Sequence, residues 1–449
     1  MKKLNIHSEI TCPNCWAVVH PADFLWISPN TDLRGDPNLG TEALKRFLPS
    51  RFDSQGFAID ETDTKCESIA CPKCHLPVPR ILCDTWPSVV SIIGTPSSGK
   101  SYFLAASTWQ AQQKLADFNI DFTSADPVAT KILGDDQTKL FLNEFQDQLI
   151  TIEKTQEEGK LYQEVLFGSR KEVFARPFVF SIRPNEVHLL GRSPSSVQQH
   201  SLALCLYDNA GENFLPNEAS ELSPATNHLA SSKSLLFVFD PLQHTNFRRQ
   251  TRKTSNDPQL DKDAKIWRQD EILQEAAKRI RRKTNLPDSE KIDKPLIVVV
   301  NKFDVWRCLT PKLKLESVDP YTKTKSGMAL DIGLIKKVSD HVEKLLKKLA
   351  PEMVSTCRAF CSDVTYIPVS PIGNSPERNE EAEDKSLLGI RPKNIKPIWA
   401  EVPLLYAIAR SKNALIPAVT RSGRSKSSRQ SKTAKRPREI KLDQPKGGR

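Results

Sequence analysis

The sequence predicts an α/β fold, a three-layer sandwich with helices on both faces of a parallel sheet. Apolar runs rich in β-branched and aromatic residues recur at Val89–Ile93, Phe178–Ile182, Leu202–Tyr207, Ser234–Phe239, Leu296–Val300 and Val364–Val369, each the length of a buried strand. Stretches of helical period lie between them. In the clearest, Ile332, Leu334, Ile335, Val338, Val342, Leu345, Leu346 and Leu349 share one face with lysines opposite, the pattern of a helix packed on a sheet. Alternation of the two kinds of element along the chain is what parallel βα units produce.

The first run leads straight into Gly94-Thr95-Pro96-Ser97-Ser98-Gly99-Lys100-Ser101, a G-x-x-x-x-G-K-S loop, and Tyr102–Ala106 continues as a helix. A strand that hands over to a helix N-terminus through such a loop aims its backbone N–H groups, those of Ser97 and Ser98 among them, at one anion. Gly94 and Gly99 permit a tight turn around a β-phosphate, Lys100 adds a charge for the β and γ oxygens, and the Ser101 hydroxyl is placed to ligate Mg²⁺.

A chain of 449 residues, 38% of them hydrophobic, has room for two or three domains and a sizeable core. The expected divisions are a cysteine-bearing module over 1–85, the α/β domain with insertions over 86–412 and a tail over 413–449. No apolar run approaches the ~18 residues of a membrane helix, and Met1-Lys2-Lys3 leads into His7, Ser8 and Glu9 rather than an apolar stretch. The expectation is a cytoplasmic protein without membrane insertion. The net charge of +11 is concentrated at one end: residues 421–449 hold 11 Lys/Arg against Glu439 and Asp443, a net +9, which leaves +2 (11 − 9) for the rest. That tail has little to bury. It is expected to be disordered and to bind polyanions weakly and without sequence preference, whereas the folded body needs no polyanionic partner.

Four of the ten cysteines form two C-P-x-C turns, Cys12-Pro13-Asn14-Cys15 and Cys71-Pro72-Lys73-Cys74. The two-residue gap lets both thiolates of a turn face one ion, and two turns make a tetrahedral S₄ site, the donor set of structural Zn²⁺. Four protein ligands leave no open position for catalysis. Strands are expected at Trp16–Val19 and Arg80–Cys83, with residues 21–65 looping out between the halves. Cys66 and His75 are alternative ligands. Cys83, Cys205, Cys308, Cys357 and Cys361 read as buried small apolar residues.

Downstream, a helix is expected around Leu140, Phe141, Phe145 and Leu149, packed in the core. The run Leu202–Tyr207 ends in Asp208-Asn209-Ala210-Gly211; a D-x-x-G there lets the carboxylate reach Mg²⁺ and the Gly211 N–H meet a γ-phosphate. Residues 242–293 read as a solvated charged stretch, with a loop over Arg248–Asp263 and a helix from Ile266-Trp267 to Ile280. Leu296–Val300 runs into Asn301-Lys302-Phe303-Asp304. This N-K-x-D resembles the guanine-reading motif of GTPases, and the resemblance implies that Asp304 accepts from N1–H and the 2-amino group of guanine, Asn301 fixes the loop and the Lys302 stem lies over the ring. The same resemblance implies a base-contacting role for Ser370, which follows the last run where GTPases carry their last base-contacting loop. Residues 374–396 read as a charged linker, and Val402–Ala409 as a closing helix with Pro403 in its first turn.

In this order, Gly94–Ser101, Asp208–Gly211 and Asn301–Asp304 resemble the P-loop NTPases of the translation-factor and small-GTPase branch, over roughly residues 86–412. The phrase Tyr207–Phe214, with His228-Leu229 and Leu236–Pro241, is similar to bacterial double-GTPase families proposed to act in defence or conflict systems. The resemblance implies a GTPase (GTP phosphohydrolase): Mg²⁺-dependent binding of GTP and GDP, hydrolysis, and a switch that couples nucleotide state to a protein effector or regulator, beside an N-terminal zinc ribbon. Two departures stand out. Glu212 occupies the position where many GTPases carry a water-orienting Gln, and 106 residues separate Ser101 from Asp208 (208 − 101 − 1), so that Thr123, Thr151 and Thr155 offer no clear switch threonine. Alternative readings are an adenine-nucleotide ATPase and a zinc-ribbon scaffold that binds GTP without turnover.

Overall fold

The computed structural model describes residues 7–152, 161–208, 226–255, 257–261, 266–325, 327–378, 388–411 and 415–420. Its centre is a seven-stranded sheet of β1 (Trp86–Gly94), β2 (Ile120–Ser124), β3 (Phe178–Pro184), β4 (Leu202–Asp208), β5 (Ser234–Phe239), β6 (Leu296–Val300) and β7 (Val364–Pro368), in the order β2-β3-β4-β1-β5-β6-β7. From β4 to β7 every pairing is parallel. Strands β3 and β2 close one edge antiparallel. Strands β4, β5 and β6 are buried at every position, which requires cover on both faces and explains why they read as continuous apolar runs.

That cover comes from two groups of helices. α1 (Lys100–Ala116) packs on α2 (Pro127–Phe141) and, near the C-terminus, on α6 (Val402–Ala409). α3 (Gln269–Thr284) packs on α5 (Pro351–Phe360), which packs on α4 (Ile332–Leu349). Their starts are encoded locally: Asp126 accepts from Ala129 N at 3.1 Å with Pro127 in the first turn, and Asp331 accepts from Leu334 N at 3.0 Å, each satisfying an orphan donor. Along α4 the buried stripe is Ile332, Ile335, Val338, Val342 and Leu346, as its period predicts.

Several expectations change. α2 ends at Phe141, and Phe145 lies beyond it, largely exposed. Where a loop is expected from Arg248, a helix spans Thr245–Thr251, and the buried Arg248 guanidinium donates to the carbonyls of Leu242, Gln259, Leu260 and Asp261, while residues 256 and 262–265 lie outside the described residues. The charged α3 buries the Glu275–Arg279 pair (2.8 Å), so its charge is only partly solvated. Within 374–396, Glu377-Arg378 pairs with Leu388-Gly389. Packing reaches Val419, past the expected start of the tail, because Leu415 and Ile416 are buried and Ala418-Val419 pairs with Leu330-Asp331. Residues 421–449 lie outside the described residues.

In the N-terminal module, Ile10-Thr11 pairs with Val18-Val19 around the first C-P-x-C turn, and Ser68–Ala70 pairs with Pro77-Val78 around the second. The second strand is therefore Pro77-Val78, and Arg80–Cys83 is a 3₁₀ turn. Residues 21–65 do not simply loop out: Leu25–Ile27 joins Ser68–Ala70 and Arg46-Phe47 in one sheet, with hairpins at 34–44 and 58–66 beside it. The module shares one continuous apolar core with the seven-stranded sheet. No helix among the described residues is long and apolar enough to cross a membrane.

Candidate functional site

Gly94 and Asp208 end the parallel strands β1 and β4, Asp240 and Asn301 directly follow β5 and β6, and Ser370 lies two residues past β7, so they gather along the carboxyl edge of the sheet, where open α/β sheets form their crevice. The loop after β1 is tightly determined. Ser97 and Gly99 both take left-handed backbone, at φ +59° and +86°, which costs a non-glycine residue roughly 1–2 kcal/mol. A Cβ on Gly94 would stand 2.8 Å from Val238 O and 3.0 Å from Ser98 Oγ; one on Gly99 would stand 2.7 Å from Asn301 Nδ2. Lys100, first residue of α1, arches back so that Nζ donates to the carbonyls of Gly94 (3.0 Å) and Thr95 (2.8 Å). Its ammonium is thereby held within the turn. Ser98 Oγ is buried with no hydrogen-bond partner among the described residues, and Ser101 lies in the first turn of α1.

Two neighbouring strands pin this loop. Asn301 Nδ2 donates to Ser98 O at 2.8 Å. Beyond β5, Gln243 accepts from Thr95 Oγ1 at 2.6 Å and donates to Pro96 O at 2.9 Å, a contact the sequence reading missed because nothing in Pro241-Leu242-Gln243 marks it.

After β6 the chain turns through Lys302 in left-handed backbone (φ +57°) and begins a short helix, Phe303–Trp306, with Asp304 in its first turn. Trp306 Nε1 donates to Asn301 O at 2.7 Å and fixes the turn from inside. Ser370 Oγ donates to Asp304 Oδ1 at 2.5 Å and accepts from Gly373 N at 2.8 Å, so Ser370 does meet the N-K-x-D loop. Lys302 Nζ is not free over the loop. It pairs with Asp240 Oδ2 at 2.5 Å, and Asp240 is itself held by Leu242 N and by reciprocal bonds with Gln269. Burial pushes the carboxyls of both Asp240 and Asp304 above the usual carboxylate range, against the pull of Lys302 on the first and of Ser370 on the second. A buried carboxylate in that condition is stabilised by further donors.

Asp208, buried at the end of β4, is in register with Ile92 of β1, two residues before Gly94. Gly211, Glu212 and Thr155 lie outside the described residues. Thr123 sits on the edge strand β2 and Thr151 in the loop beyond α2.

The sulfurs of Cys12, Cys15, Cys71 and Cys74 lie within 4.8 Å of one another. Both turns have the same build: Trp16 N and His75 N donate back to Cys12 O (3.1 Å) and Cys71 O (2.9 Å), with Trp16 and His75 in left-handed backbone. Lys73 N donates to Cys71 Sγ at 3.4 Å. Four convergent sulfurs from two matched turns fit a tetrahedral ion such as Zn²⁺. Cys66 and His75 are not ligands: the Cys66 thiol faces Asp60 and Thr64 O, and His75 Nδ1 pairs with Asp36 at 2.8 Å. Cys205, Cys357 and Cys361 are buried as expected, Cys83 is half-buried and Cys308 is exposed.

No protein-family model matches the chain, and neither does any curated protein. Among solved structures it is similar to an Era variant from Aquifex aeolicus bound to GDP·AlF₄⁻ (14% identity, 65% of this chain and 53% of that one, TM-score 0.24). It is also similar to the signal recognition particle receptor SRb-GTP/SRX complex from Chaetomium thermophilum (13%, 65% and 94%, 0.25) and to the GTP-bound GTPase-like domain of Ski7 from S. cerevisiae (13%, 73% and 51%, 0.25). The chain covers 38% of the GDP-complexed sup35 chain that it also matches. At these TM-scores the likeness carries no argument, and the reading of the site rests on its own residues.

Proposed function

We propose that this protein binds a guanine nucleotide with Mg²⁺ and hydrolyses GTP, as a switch that couples nucleotide state to a protein partner. The observation that carries the reading is the junction of two loops: Asn301 bonds the carbonyl of Ser98 while Asp304, three residues on, is held by Ser370. One side of the crevice offers backbone N–H groups and the Lys100 ammonium, which suits phosphates. The other offers the half-buried Asp304 carboxylate, which can accept from the N1–H and 2-amino group of guanine. The Lys302 stem lies over the base while Asp240 holds its ammonium.

The Ser101 hydroxyl and the Asp208 carboxylate are hard oxygen donors of the kind Mg²⁺ takes. When bound, that ion neutralises charge on the β and γ oxygens. Lys100 adds its charge to the same oxygens. Water attacks the γ-phosphorus as the bond to the β–γ bridging oxygen breaks, giving GDP and inorganic phosphate; Glu212 orients that water. Cys12, Cys15, Cys71 and Cys74 hold a structural Zn²⁺, which locks the two turns together. A role in a bacterial defence or conflict system fits the similarity of the segment from Tyr207.

The test is phosphate release by the full-length protein. GTP should yield phosphate only with Mg²⁺ present, Lys100→Ala should abolish it, and Glu212→Ala should lower kcat with KM little changed. Tight GTP binding without any release, alone or with cell extract, would remove hydrolysis from the proposal.

A further inference from the structure

The residue before Asp208 ties the strand to the cysteine cluster. The Tyr207 ring is 1% exposed and lies between Trp16, at 5.7 Å between ring centroids, and His228, at 4.3 Å and within 4° of parallel. Its hydroxyl donates to the carbonyl of Pro13, the residue after Cys12 in the first C-P-x-C turn. That turn is held on its other side by Cys12 N to Ala17 O (2.9 Å) and by Asn14 Nδ2 to Pro77 O (3.1 Å), beside the second turn. On the sheet side, His228 Nδ1 meets the hydroxyl of Ser91, the register partner of Tyr207 in β1. A buried path therefore runs from the metal-ligand turns through one phenol to the β1–β4 pair, one residue before Asp208 and three before Gly94.

Packing alone would be met by phenylalanine. The hydroxyl adds one directional bond, and the carbonyl it reaches belongs to a turn whose position depends on how the four sulfurs are held together. We propose that Tyr207 is a positioning residue that couples the ion of the cysteine cluster to the nucleotide site by fixing the end of β4 that carries Asp208. This rests on the assignment of Asp208 to Mg²⁺ in the proposed function. Because coupling between two binding sites is reciprocal, ion and nucleotide must then each raise the affinity for the other by one common factor.

The experiment uses the full-length protein. Zinc affinity is measured by equilibrium competition with a chromogenic chelator at one fixed Mg²⁺ concentration, with and without GDP. GDP affinity is measured at the same Mg²⁺ concentration with and without zinc, and once without Mg²⁺. Wild type should show one factor in both directions, about fivefold or more. Tyr207→Phe, which keeps the ring between Trp16 and His228, should bring both factors close to one while GDP affinity in the absence of Mg²⁺ stays unchanged. Wild-type protein that binds both ligands with no mutual effect, or a Tyr207→Phe variant that keeps the full factor, would overturn the coupling and leave the nucleotide reading standing. Wild-type protein that binds zinc but no GDP would overturn the nucleotide reading and the coupling with it.

Discussion

Gly99→Ala tests whether the two loops form one site. Gly99 has a φ of +86°, and a Cβ there would stand 2.7 Å from Asn301 Nδ2. Alanine would incur roughly 1–2 kcal/mol for left-handed backbone. It would also displace Asn301 from Ser98 O, a buried bond of 2.8 Å whose loss costs about 0.5–1.5 kcal/mol. Together these give roughly 1.5–3.5 kcal/mol, or about a ten- to four-hundredfold loss of nucleotide affinity if the strain falls on the bound conformation. The assay is equilibrium titration with a fluorescent GDP, for Gly99→Ala, Asn301→Ala and the double variant. Both single changes break the same contact, so their costs should fall short of additive. Wild-type affinity in Gly99→Ala, or full additivity in the double variant, would refute the reasoning.

Three further outcomes concern the ion pair at Lys302, the cysteine cluster and the basic tail. Asp240→Asn leaves the Lys302 ammonium without its buried counter-charge, and the variant should lose about 3 kcal/mol of stability in urea unfolding; a loss below roughly 0.5 kcal/mol would show an idle ion pair. The purified protein should hold one tightly bound zinc, lost in Cys12→Ser plus Cys71→Ser by metal analysis; full zinc content in that double variant would exclude the cluster. Deleting residues 421–449 should remove any steeply salt-dependent polyanion binding and leave phosphate release intact, and a large loss of turnover would assign the tail to the catalytic unit.

The sheet was legible wherever strands are buried on both faces, since Leu202–Tyr207, Ser234–Phe239 and Leu296–Val300 need apolar residues at every position. It was not legible at the β2 edge. Ile120-Asp121-Phe122-Thr123-Ser124 has one exposed face and reads as polar, and the hairpin Tyr162–Phe167 with Arg170–Ala175 is built from equally mixed residues. In the N-terminal module, strands of two or three residues are too short for any period to show. Ile81-Leu82 has strand-like composition, yet Pro79 leads it into a 3₁₀ turn. The positions of Gly94–Ser101 and Asn301–Asp304 relative to their strands followed from spacing, and so did the pairing of the four cysteines. What spacing could not reveal are partners brought in from elsewhere in the chain. Asp240 under Lys302, Gln243 on Thr95 and the carbonyls around Arg248 are ordinary residues until the fold supplies the second half of each contact.

The proposed function stands or falls on Asp304 reading guanine. Its two oxygens match the N1–H and 2-amino donors of guanine and would face the C2–H and the N1 acceptor of adenine. With charge-assisted bonds worth about 1.5–3 kcal/mol each, losing two gives roughly 10²–10⁴-fold discrimination. Competition binding of GTP, ATP and XTP to wild type and Asp304→Asn measures this directly. Wild type should prefer GTP over ATP by at least about a hundredfold, and the variant should lose GTP and gain XTP, whose C2 carbonyl accepts from the amide. A wild-type preference for ATP, or unchanged GTP affinity in Asp304→Asn, would contradict the account.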